Sequence, residues 1–161
     1  MKTILSDIPK DSLSLSGEYC VFDATKNISP CIGCFGCWFK DPGKCLIHDG
    51  YEKIAAAMGR SDEVIIISKC MYGSVSPSVK KMFDRSLAYS HPRFLIRKGE
   101  MHHKRRYANR LSLKVIFYGD VNEQERMTAR KLIEANALNY DIHSYEVIFL
   151  PDESAVGGMA I

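Results

Sequence analysis

The sequence has no apolar run near the ~20 residues of a membrane-spanning helix. Its longest such runs lie around Val64–Ile67 and Val147–Leu150. It also lacks an apolar segment behind a basic start. Lys2 is followed by Asp7, Pro9 and Asp11, so no secretory signal is read. G-x-S-x-G, Walker and G-x-G-x-x-G patterns are absent, as are internal repeats and low-complexity stretches. Charge of one sign is scarce too: 22 basic against 19 acidic residues leave +3, which is not the footprint of a dedicated nucleic-acid binder. These absences lead to the expectation of a cytoplasmic protein with no membrane and no nucleic-acid partner.

What remains is an ordinary globular composition, 46% hydrophobic and 25% charged over 161 residues. That length suits a single domain, 1–161. Within it, residues 28–48 form a Cys-rich loop, 91–110 a basic loop, and 151–161 a Gly-rich tail expected to be mobile. The basic loop gathers Arg93, Arg97, Lys98, Lys104, Arg105, Arg106 and Arg110 against Glu100 alone. Six cysteines in a cytoplasmic chain argue against a disulfide framework.

Hydrophobic periodicity alternates strand and helix. Strands are expected at Lys2–Ser6, Glu18–Asp23, Glu63–Ser68, Leu113–Tyr118 and Tyr145–Leu150. Helices are expected over Gly50–Arg60, Pro77–Leu87 and Glu123–Leu138. The β-branched run EVIIIS reads as a parallel strand buried on both faces. This alternation predicts an α/β fold with an open parallel sheet and right-handed crossovers. Ligands of such sheets bind beyond the C-terminal strand ends, which directs attention to the loops after residues 6, 68 and 118.

The loop Ser68–Ser76 (SKCMYGSVS) combines a glycine, hydroxyls, a tyrosine able to stack on a ring, and a following helix N-terminus. A plain strand-to-helix turn would explain the same residues. Upstream, Cys31, Cys34, Cys37 and Cys45 form C-x2-C-x2-C-x7-C. Closely spaced thiolates suit an iron–sulfur cluster or zinc. Reduced thiols in an aromatic loop with Phe35, Trp38 and Phe39 are the alternative. The pair His102–His103 reads as a solvated loop pair.

The segment VIIISKCMYGSVSPSVKKMFDR resembles the flavin-binding segment of the NADPH-dependent FMN reductase family, which is flavodoxin-like. The resemblance implies five strands in the order 2-1-3-4-5. It places Cys70, Met71, Tyr72, Gly73 and Ser74 on the isoalloxazine ring of FMN, with Tyr118 and Gly119 in a second ring-facing loop. Lys80, Asp84 and Arg85 match the family's helix ending and are read as structural. Lys69 and Cys70 stand where the family has small residues and proline. The stretch CIGCFGCWFKDPGKC resembles the iron–sulfur flavoprotein branch, whose four cysteines carry a [4Fe–4S] cluster. No catalytic side chain is assigned, because flavin performs the redox chemistry.

One family feature is missing. The phosphate loop G-S-P-R-x-x-G-N-T after the first strand is replaced by SDIPKDSLSLSG, too short for that loop and a full first helix. Ser6, Lys10 and Ser12, or the HHKRR stretch at 102–106, are the substitutes on offer for holding a phosphate. A missing helix would uncover apolar sheet surface, which predicts either a homodimer or cover by a packed N-terminal segment. Three functions follow from the resemblance. The first is an FMN oxidoreductase using NAD(P)H to reduce flavin or a small acceptor. The second is an iron–sulfur electron carrier with an electron-transfer partner. The third is a degenerate interaction module that binds no flavin.

Overall fold

The computed structural model describes every residue, Met1–Ile161. Seven strands follow one another along the chain: β1 (Lys2–Ser6), β2 (Tyr19–Asp23), β3 (Glu63–Lys69), β4 (Ser90–Arg97), β5 (Glu100–Arg105), β6 (Ser112–Tyr118) and β7 (Ser144–Leu150). Five helices accompany them: α1 (Gly36–Phe39), α2 (Ile54–Arg60), α3 (Pro77–Arg85), α4 (Glu123–Asn139) and α5 (Glu153–Gly157). The main sheet runs β2-β1-β3-β6-β7, all parallel, which is the expected 2-1-3-4-5 order once the β4–β5 hairpin is set aside.

β3 lies at the centre because its five consecutive residues Val64–Ser68 can all be buried. Its register sets Ile65 beside Ile4 on β1 and Ile67 beside Ile116 on β6, so each strand's side chains alternate between two cores. Proline at the first turn and the Ser76 hydroxyl on the Val79 N–H start α3. Asn122 and Glu125 form a reciprocal capping box for α4.

The two sheet faces are unequal. One carries a core of 21 buried residues, including Ile54, Met58, Val79, Met82 and Ile133 from α2, α3 and α4. The other has a core of only nine, and no full helix follows β1 to cover it. A 3-10 turn at Lys10–Ser12 is all that stands there. Ile8 and Leu13 from this connection, with Val156 and Ile161 from the chain end, close that face. Ser14 pairs with Ala160, and the Ile161 N–H donates to the Ser14 carbonyl. The face is thus covered by the expected N-terminal segment together with the chain end, which the sequence reading did not assign to it.

Two regions differ from the sequence expectation. The Gly-rich tail folds back as α5 and buries its last side chain, because that uncovered face offers apolar contacts that composition alone cannot reveal. The basic loop is an antiparallel hairpin, β4–β5, in which Arg97, Arg105 and Arg106 are engaged by the rest of the molecule while Arg93, Lys98 and Lys104 stay exposed. Arg97 and Arg105 both pair with Asp141. Arg106 donates to the Ala88 and Ser90 carbonyls, and Arg97 to the Leu138 carbonyl at the end of α4. The histidines are not a solvated pair: His102 is buried on Asn139, and His103 packs between Trp38 and Phe94.

Candidate functional site

At the C-terminal edge of β3, Met71 and Ser74 exchange two backbone hydrogen bonds of 2.9 Å around Tyr72 and Gly73. Both central residues have positive φ, +54° and +77°, the signature of a tight turn that normally takes Asn-Gly. Glycine is required at 73, since a Cβ there would lie 2.6 Å from Thr128 and 2.9 Å from the Glu125 carbonyl of α4. Tyr72 has no such relief. Its left-handed backbone is strained, and its side chain is 87% exposed. The Cys70 N–H donates to the Tyr118 carbonyl, which ties this loop to the end of β6. Burial raises the Cys70 thiol pKa, so it stays protonated near neutrality.

The two residues expected in a second ring-facing loop, Tyr118 and Gly119, lie in different surroundings. Gly119, with φ +114°, sits beside the Lys69 side chain. Tyr118 belongs to the smaller core on the opposite sheet face from Cys70, and its hydroxyl donates to Asp7 Oδ1 at 3.1 Å. It is therefore no neighbour of a ring on the 70–74 loop. Its strand parity, counted from Phe117 in the larger core, carries that information.

The place after β1 shows why a phosphate does not fit. Asp7 projects its carboxylate across the ends of β3 and β6, accepting from the Lys69 N–H at 3.0 Å and the Ser68 hydroxyl at 3.3 Å. The Asp7 N–H is spent on the Ile67 carbonyl, the Ile8 N–H on the Ser6 hydroxyl, and Pro9 has none. The Ser12 N–H closes the 3-10 turn on Pro9. A fixed negative charge with few unspent donors repels a phosphate where flavodoxin-like sites hold one. Of the substitutes, Ser6 is buried and turned onto Ile8, Lys10 lies over the Tyr19 ring, and within HHKRR Arg105 and Arg106 are already engaged while Lys104 is exposed. Burial, the Asp7 charge and their hydrogen bond all push the Tyr118 pKa far above its usual value.

The cysteine loop is the other concave region. Cys31, Cys34, Cys37 and Cys45 all line one apolar cavity of about 40 Å³, with Asp84, Arg85 and Leu87 on its far wall. Gly33 and Phe35 turn the chain through positive φ, with Cys31 and Cys34 exposed and Cys37 and Cys45 partly buried. No three His, Cys, Asp or Glu side chains stand within reach of a single ion. This bears on the metal readings: zinc needs its sulfurs ~2.3 Å from one centre, whereas each cysteine of a four-iron cluster holds a different iron. Four closely spaced thiols are the donor set of such a cluster, while the cavity they share in this structure is smaller than the cluster itself. Burial, then the neighbouring Cys45 and Cys31, raises the Cys37 pKa, so binding a cation must displace its proton.

The loop is anchored by residues the sequence did not single out as a set. Asp49 accepts from the Ser29 and Tyr51 N–H groups, one on each side of the loop, and from Arg85 Nη1 at 2.6 Å. Arg85, whose side chain is 0% exposed, also donates Nη2 to the Ile47 carbonyl at 2.7 Å. Burial works against the Asp49 charge, but the Arg85, Ser29 and Tyr51 donors hold its pKa below the usual carboxylate value. A second cavity of about 410 Å³ shares Cys31, Asp84 and Leu87 with the first and extends to Ser74 and Val75. It links the cysteine loop to the 70–74 turn.

No family model matches the chain. It is 41% identical over 63 residues to an iron–sulfur flavoprotein of Methanocaldococcus jannaschii, covering 39% of this chain and 32% of that protein. An iron–sulfur flavoprotein of Archaeoglobus fulgidus is 34% identical over 68 residues, covering 42% and 30%. The chain thus spans about a third of the length of these curated relatives. Among solved structures, an NAD(P)H:quinone oxidoreductase from Methanothermobacter marburgensis superposes with a TM-score of 0.61 at 11% identity, covering 92% of this chain and 84% of its own. An FMN-dependent NADH-azoreductase from Bacillus anthracis, in complex with FMN, gives 0.54 at 11% identity, covering 92% and 85%. The chain has the flavodoxin-like fold, and part of it is similar in sequence to iron–sulfur flavoproteins.

Proposed function

We propose that the protein is a redox domain of the iron–sulfur flavoprotein kind, with a cluster on Cys31, Cys34, Cys37 and Cys45 and a flavin ring at the 70–74 turn. The observation that carries this reading is that all four cysteines line one cavity and that a larger cavity, sharing Cys31, Asp84 and Leu87 with it, reaches Ser74. A bound [4Fe–4S] cluster and flavin would supply one- and two-electron chemistry. The chain's own part is to present four sulfurs from a loop pinned at both ends by Asp49, and to offer Tyr72 as an exposed stacking surface. Asp7 makes the site one for a ring and not for its phosphate.

NAD(P)H as hydride donor is the second reading, supported by the activities named for the two structural neighbours. Arg105 and Arg106 are poor candidates for reading a nicotinamide phosphate, since both already serve the hairpin. Self-association finds support in exposed Ile32, Phe35, Phe94, Ile96 and Met101 on the cysteine loop and hairpin. No helix is long and apolar enough to cross a membrane.

The test is anaerobic reconstitution with iron and sulfide, followed by titration with riboflavin and FMN. The reading expects about four irons per chain and similar affinities for the two flavins. No iron retained, or no flavin bound, contradicts the corresponding half.

A further inference from the structure

The β4–β5 hairpin is inside out. Its register sets Phe94 beside His103 and Ile96 beside Met101, so these four side chains share one face. Leu95, Arg97, Glu100 and His102 share the other. A hairpin on a protein surface normally turns its apolar face inward. Here the polar face turns inward: Arg97 reaches Asp141 and the Leu138 carbonyl, and His102 is buried on Asn139. Phe94, Ile96 and Met101 are left 54%, 70% and 67% exposed.

The apolar face does not stop at the hairpin. The His103 ring lies 4.5 Å from that of Phe94 and 4.6 Å from that of Trp38, and Trp38 lies 5.4 Å from Phe35, centre to centre. A row of rings therefore runs from the hairpin onto the cysteine loop, where Ile32, Phe35 and Phe39 stand exposed as well. Six large side chains exposed to this extent present on the order of 600 Å² of apolar surface. That is the upper end for a monomer and approaches the ~800 Å² per partner of a standard interface.

Charge narrows what can cover this face. The row holds no Lys, Arg, Asp or Glu, and the hairpin's exposed charges lie off it. Lys98 is in the turn, Glu100 and Lys104 have the opposite parity, and Arg93 sits at the bulge. A lipid-binding surface carries basic groups alongside the apolar ones it inserts, and an acidic partner needs charge to read. An identical uncharged face needs neither, and its approach brings no like charges together.

We propose that this face is a self-complementary docking surface, on which a second copy of the chain packs its own hairpin and cysteine loop about a two-fold axis. This deepens the self-association reading and requires neither cluster nor flavin to be bound. Ile32 and Phe35 also line the cysteine cavity, so the second copy covers that cavity's outer wall.

The test is sedimentation velocity on the full chain, with no metal or flavin added, over a dilution series. The native chain should sediment as a dimer. Ile96→Glu, at an exposed position, should fold and raise the dimer dissociation constant about a hundredfold, because each substitution enters a two-fold contact twice. Met101→Glu is a second variant expected to do the same. Met127→Glu, exposed on α4, should leave the constant unchanged. Trp38, the only tryptophan, packs on His103 and reports the contact locally. Its emission should lie further to the red in Ile96→Glu than in the native chain. The same samples are mixed with phosphatidylcholine–phosphatidylserine vesicles. A native chain that stays monomeric overturns the proposal, as does a dimer that both glutamate variants leave intact. Vesicle binding by a monomeric chain overturns it in favour of a lipid surface. None of these outcomes bears on the cluster and flavin reading, which reconstitution tests separately.

Discussion

The loop after β1 and the cysteine loop both lie where an open parallel sheet binds ligands, yet they treat their polar groups in opposite ways. After β1, the groups at the strand end are already matched: Asp7 takes Lys69, Ser68 and Tyr118 as donors, and Ser6 satisfies Ile8. At the cysteine loop the anchoring is complete, but four thiols and one guanidinium N–H remain unspent around a cavity. A loop that has satisfied itself has no energetic reason to hold a ligand. One that buries unspent donors beside unspent sulfurs does.

Substitutions can break this contrast. The largest effect is expected from Cys37→Ser, which removes a sulfur from the shared cavity. Iron retained after anaerobic reconstitution should fall from about four per chain to near background. Retention of full iron would move the cluster elsewhere. Next comes Ile8→Ala, which tests whether the β1 loop is a structural plug. Ile8 is fully buried in the nine-residue core, so its truncation should cost ~2–5 kcal/mol in urea unfolding. A loss below ~0.5 kcal/mol would show that the thin face does not depend on this segment.

Asp7→Asn sharpens the comparison from the ligand side. Removing the fixed charge should improve FMN binding about tenfold relative to riboflavin, or ~1.4 kcal/mol, as read by flavin fluorescence quenching. An unchanged ratio would mean that the phosphate never approaches Asp7. The smallest effect concerns acid. The folded Asp49 pKa lies below its ordinary 3.8, so the stability it adds is present above that value. It is lost as the pH falls through the lower folded pKa. Proteolysis of the cysteine loop should accelerate across that window in the native chain, and Asp49→Asn should flatten the dependence.

Much of this was legible in the residues. The run EVIIIS announced the central strand, and Ser76–Pro77 announced the start of α3 with its cap. The C-x2-C-x2-C-x7-C spacing found the four thiols that the fold does bring to one cavity. What escaped was long-range pairing. Nothing local in the sequence says that Asp49 and Arg85, 36 positions apart, meet at 2.6 Å. Nor does composition show that Arg97 and Arg105 share Asp141, which turns a basic loop into a pinned hairpin. The Gly-rich tail looked mobile because its partner, the uncovered face of β1, β3 and β6, exists only after folding. Tyr118 was assigned by analogy to a ring-facing loop, whereas strand alternation sends it to Asp7.

The visible spectrum of anaerobically isolated protein tests the central claim most directly, since it reads both ligand regions in one sample. The account predicts broad brown absorbance from an iron–sulfur cluster, with flavin bands that grow on adding riboflavin as readily as on adding FMN. A spectrum that stays blank after reconstitution with iron, sulfide and flavin would contradict it.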